Sequence, residues 1–123
     1  MLPIAKVNVA AQLDRFQDYY NPRIIADLNG QLVKLVKFDS EFVWHHHDDE
    51  DELFFVVTGT MRMEFRDQTV DLGPGELIVV PRGVEHRPSA PFGEVAVMLF
   101  EPATTLNTGN VRNERTRLEL ERL

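Results

Sequence analysis

The chain has 123 residues, 43% of them hydrophobic and 27% charged, with a formal charge of -7 from 13 basic and 20 acidic residues. That length points to one domain around one continuous core. The negative balance argues against nucleic acid as a partner, since phosphate backbones are held by dense Lys and Arg. With no cysteine, disulfides and thiolate metal sites are excluded, and any metal must be held by nitrogen and oxygen.

The N-terminal segment shows no secretory pattern, and no apolar run approaches the ~20 residues of a membrane helix. The expectation is a cytoplasmic protein without a membrane partner, which the lack of cysteine suits. Val9, Leu13, Phe16 and Tyr20 recur at helical spacing behind Asn8, a suitable N-cap. They predict a short helix that ends before Asn21-Pro22. The pattern then turns to β. Ile24 to Leu28 and Gln31 to Phe38 flank Asn29-Gly30, a favoured two-residue hairpin turn. Further strands are predicted near 41–47, 52–58, 60–66, 69–72, 76–80, 84–89 and 94–101, separated by turn residues such as Gly73-Pro74-Gly75 and Pro91-Phe92-Gly93. Many short strands at this spacing predict a small β-barrel or jelly roll, an all-β fold whose closure removes most exposed edges. Residues 102–123 are polar, and are expected to be a tail, a weak helix or an arm reaching a partner subunit.

The chain has four histidines: His45-His46-His47 and His86. Along a strand, side chains alternate between faces, so His45 and His47 share one face about 6–7 Å apart. His46 points the other way with Trp44. The acidic run Asp48 to Glu52 then enters the apolar strand Leu53 to Val57. A carboxylate carried inward at that junction is costly unless it is paired or bound to a cation. His86 follows the turn Pro81-Arg82-Gly83 and begins another strand, in a position to face the same interior. Phe54, Met61, Met63, Phe65, Met98 and Phe100 read as core. Arg62, Arg66, Arg82 and Arg87 read as surface residues rather than substrate clamps.

These residues resemble the two motifs of the cupin superfamily. The first motif is His-x-His, three or four residues, Glu, six residues, Gly. Here it reads His45-His46-His47, Asp48 to Asp51, Glu52, Leu53 to Thr58, Gly59. The second is Gly, five residues, Pro-x-Gly, two residues, His, three residues, Asn. Here it reads Gly75, Glu76 to Val80, Pro81-Arg82-Gly83, Val84-Glu85, His86, Arg87 to Ser89, and then Ala90 in place of Asn. The permitted gap admits Asp51, but counting back six residues from Gly59 selects Glu52. The resemblance implies a single cupin domain over 1–123, with a barrel core at about 23–101. It also implies metal ligands at His45, His47, Glu52 and His86. Three imidazoles and a carboxylate suit one divalent transition metal ion per chain, Mn, Fe, Ni, Co, Cu or Zn, better than Ca or Mg.

Four protein ligands on a six-coordinate ion leave two positions for water, dioxygen or a bidentate small molecule. Three functions are compatible with this. The first is a metal-dependent enzyme, with oxygenase-type chemistry on a small oxygenated substrate. The second is a sugar isomerase similar to mannose-6-phosphate isomerase, placed behind it because the arginines form no clustered phosphate motif. The third is a non-enzymatic module that binds or stores a small-molecule ligand. Gln31, Lys34, Glu64 and Glu85 lie near the right strands to supply a polar group that is not a ligand. Small cupins commonly pair, so a homodimer is expected.

Overall fold

Eight strands and one short helix make up the regular structure of the computed structural model, which describes residues 4–123. The strands are β1 (Arg23–Leu28), β2 (Gln31–Phe38), β3 (Glu52–Thr58), β4 (Met61–Phe65), β5 (Thr69–Leu72), β6 (Leu77–Val80), β7 (His86–Ser89) and β8 (Val95–Pro102). Five of them form one antiparallel sheet in the order β1-β2-β8-β3-β6, and the other three form a second in the order β5-β4-β7. This is the jelly roll expected from the sequence. Asn29 and Gly30 both take positive φ, 51° and 78°, which is what a two-residue turn between twisted strands requires.

Period-two alternation sets the inner face. Val36, Phe38, Phe54, Val56, Val95, Val97 and Leu99 from the larger sheet meet Met61, Met63 and Leu72 from the smaller one in the main core. Met98 and Phe100 fall on the opposite face of β8 and are half-buried. They are therefore not part of the barrel interior. Met98 instead packs beneath a second cluster, Leu13, Phe16, Leu35 and Ala96, on the outside of the larger sheet.

The structure corrects two expected elements. The helix α1 covers only Val9–Leu13, with Asn8 as its N-cap accepting from the Ala11 N–H. The buried Lys37 ammonium donates to the carbonyls of Leu13 and Phe16, both at 2.9 Å. Those carbonyls are held by a side chain from the sheet and the helix stops, leaving Phe16 and Tyr20 beyond it. The expected strand at 41–47 is reduced to two isolated bridges, Glu41 with Ser89 and His45 with His86. Phe42 donates its N–H to Pro88 O at 2.9 Å. Pro88 has no N–H to return, so the ladder breaks between the bridges.

Residues 103–123 form no helix and lie against the chain's own barrel. The His46 N–H donates to Asn110 Oδ1 at 2.9 Å, and the Asn110 N–H donates to His46 O at 3.0 Å. Arg115 donates to Glu41 O at 2.6 Å, and its guanidinium lies 4.2 Å from the centre of the Tyr20 ring. Near the end of the chain, Ile24 and Leu123 hold the segment to β1 through Ile24 N to Glu121 O and Leu123 N to Ile24 O. Among the described residues no helix is long and apolar enough to cross a membrane.

Candidate metal centre

Four buried side chains converge where β3 and β7 meet the segment before β3. His45 and His47 come from that extended segment, Glu52 opens β3 and His86 opens β7. One ligand atom from each can be chosen so that all lie within 4.8 Å of one another. Glu52 is the member of the acidic run that points inward. Asp51 points out and takes the Arg82 N–H at 2.9 Å.

The hydrogen bonds of the imidazoles set their tautomers. His45 Nδ1 lies 2.8 Å from Val43 O, and His86 Nδ1 lies 2.9 Å from Val84 O. A carbonyl can only accept, so each Nδ1 carries the proton and each Nε2 presents a lone pair. His47 Nε2 is buried without a hydrogen-bond partner, although Glu52 Oε1 is 3.0 Å away. His86 Nε2 is 3.2 Å from the same oxygen. The arrangement is several lone pairs and a carboxylate aimed at one point, with too few protons between them. Such a cluster is costly in a dry interior unless a cation occupies the centre. The donor set therefore fits a transition metal ion, and the Nδ1 contacts are the outer support that orients ligating histidines.

Electrostatics agree. Burial, with the neighbouring His86, pushes the His45 imidazole down to about 4, so it is neutral at ordinary pH. Burial alone would raise Glu52. The contacts from Glu101, His47 and His86 override it and hold the carboxyl well below its usual range. Glu101 goes the other way: burial and then the Glu52 charge raise it well above that range, against the pull of Lys34.

Beside the cluster opens a narrow cavity of about 20 Å³. Its walls are Val36, Phe38, Phe42, Phe54, Pro88 and Leu99, with Tyr20, Pro22 and Asn107, and His45 and Glu52 from the cluster. The two polar groups besides the cluster are engaged elsewhere. The Tyr20 hydroxyl pairs with Ser40 at 2.7 Å, and the Asn107 amide is tied to Arg115 O and the Arg117 N–H. Of the polar residues singled out from sequence, Lys34 points inward but bonds Glu101, Glu64 pairs with Arg87 and Glu85 with Arg66. Neither these nor Gln31 lines the cavity. The four arginines all bond acidic partners outside it, Arg62 with Asp71 and Arg82 with Asp51 completing the set. Trp44 lies under the Arg66 guanidinium at 3.8 Å, away from the cluster.

Sequence reasoning missed Glu101 and Asn107. Glu101 had a signal: it continues the inward alternation Val95, Val97, Leu99. Asn107 had none, because it sits in the segment read as a tail.

The model for the cupin domain (Cupin_2) matches residues 31–101, a range that holds all four converging residues. The chain belongs to the Cupin_2 family. A cupin-2 domain containing protein from Shewanella frigidimarina NCIMB 400 superimposes on this cupin with a TM-score of 0.76 and 45% identity, covering 78% of this chain and 93% of that one. The uncharacterized protein YdbB of Bacillus subtilis (strain 168) is 39% identical over 64 residues, 51% of this cupin and 57% of that protein. An acireductone dioxygenase of Puccinia graminis f. sp. tritici is 35% identical over 94 residues, 68% of this cupin and 49% of that protein. The chain spans about half the length of the curated relatives it matches.

Proposed function

We propose that this cupin is a metal-dependent enzyme of oxygenase type, holding one divalent transition metal through His45, His47, Glu52 and His86. The observation that carries the reading is the junction of that cluster with an apolar cavity in which no other side chain is free to act as acid, base or phosphate clamp. In such a site the protein binds, orients and excludes water, and the chemistry falls to the ion. A redox-active ion held by His45, His47, Glu52 and His86 would supply Lewis-acid and electron-transfer chemistry there. The aromatic walls Phe38, Phe42 and Phe54 suit a small substrate with an apolar body and two neighbouring oxygens at one end. The likeness to an acireductone dioxygenase supports the same direction. A sugar-phosphate isomerase is disfavoured, because every arginine considered as a clamp is paired outside the cavity.

The test is oxygen uptake by protein stripped with chelator and reloaded with Fe, Mn or Ni, offered small diketones and catechols. Consumption that needs both metal and substrate is expected. No uptake, together with no substrate-dependent change in the metal spectrum, would leave a binding module as the better reading.

A further inference from the structure

Beside Glu52 lie two more buried ionisable residues, Glu101 and Lys34. Glu101 stands on β8 one step beyond the Leu53–Phe100 pair, directly across from Glu52. The two carboxyls lie within interaction distance of each other, and Glu101 Oε2 is buried with no hydrogen-bond donor of its own. Lys34, on the next strand β2, donates to Glu101 Oε1 at 2.7 Å, with side-chain exposures of only 2% and 1%. Two carboxyls facing each other across neighbouring strands normally repel, and an ammonium is costly to bury. Apolar residues would fill this end of the barrel without either cost. Both costs are accepted at the one place where the barrel must fix a carboxylate.

We infer that Lys34 and Glu101 form a relay that positions Glu52, holding its carboxylate toward the three imidazoles. Lys34 anchors Glu101, Glu101 anchors Glu52, and the ligand carboxylate arrives with its rotamer already set. Free rotation of Glu52 would let its second oxygen compete for the metal or turn away from it. Both are positioning residues: neither reaches the cavity, and each acts through the next. The inference rests on the metal reading above and extends the site to two strands that bring no ligand.

The test is Co2+ binding to full-length, chelator-stripped protein, followed by calorimetry and by the visible absorption of the bound ion, which reports its coordination. Glu101→Gln keeps a donor toward Glu52 and an acceptor for Lys34, so its affinity and spectrum should stay near those of the parent. Glu101→Leu and Lys34→Met break the relay at different links. Each should lose affinity, roughly tenfold or more for Glu101→Leu, as outer supports of metal ligands do, and each should change the absorption bands. Should Glu101→Leu not fold, Lys34→Met against Glu101→Gln makes the same comparison. Folded Lys34→Met or Glu101→Leu protein with parental affinity and bands overturns the inference while leaving the metal reading intact. A parent that takes up no Co2+ overturns both.

Discussion

His45 and His86 donate their main-chain N–H groups to each other's carbonyls at 3.0 and 2.9 Å, and their ring centres stand 4.3 Å apart. The backbone bridge, not the rings, joins the two motifs, so one imidazole can be removed while the other keeps its place. His86→Ala should therefore fold and lose Co2+ affinity beyond the roughly 10–100-fold that outer contacts cost. Trp44, the single tryptophan, neighbours His45 and gives a fluorescence readout. Superimposable Co2+ titrations of parent and variant would defeat the four-residue assignment.

Acid should weaken the metal-free protein through His45. Its imidazole titrates at about 4 when folded against 6.5 when free. Below pH 6.5 the unfolded chain therefore binds the extra proton first, and stability falls as pH drops toward about 4. The full difference is about 3 kcal/mol. Urea unfolding in the presence of chelator, from pH 8 to pH 4, should show this decline, and His45→Asn should flatten part of it. A parent midpoint independent of pH over that window contradicts the prediction.

Gly109 fastens the C-terminal segment to the ligand segment. Its φ is +55°, and an added Cβ would stand 2.2 Å from His46 O and 3.0 Å from His45 Cδ2. The left-handed conformation alone costs a non-glycine residue about 1–2 kcal/mol, and the clash adds to it. Gly109→Ala should lower thermal stability and speed tryptic cleavage at Arg112, Arg115 and Arg117. Unchanged cleavage would show that the segment is not held there.

Lys37 is expected to anchor the N-terminal segment. Replacing it with Met leaves the Leu13 and Phe16 carbonyls without their donor, at a cost of about 2–3 kcal/mol for buried acceptors losing a charged partner. Equilibrium unfolding measures this, and a loss under about 0.5 kcal/mol, the scale of a neutral surface change, would count against the anchor.

Spacing made the convergence of His45, His47, Glu52 and His86 legible. Alternation placed His45 and His47 on one face, and the count from Gly59 chose the one acidic residue that turns inward. The strands were readable because each alternates cleanly. The segment 41–47 misled because it has strand-like residues, but its partner β7 carries Pro88 in the pairing position. The helix misled because Phe16 and Tyr20 keep helical spacing while packing on different clusters. The cavity wall was hidden where chain-distant residues supply it, as Asn107 does. Its side-chain amide donates to Arg115 O and accepts from the Arg117 N–H, contacts that leave no periodic trace in a sequence.

The segment after residue 102 lies outside the span matched by the cupin domain model, yet it contributes Asn107 to the cavity and lays Arg115 over Tyr20. The four converging residues and part of the cavity wall are thus carried on separable stretches of chain. A substitution at Asn107 alters the cavity wall while leaving His45, His47, Glu52 and His86 in place. Within that stretch Gly109 and Asn110 abut His45 and His46, whereas Asn107 and Arg115 can be varied without meeting the four converging residues directly.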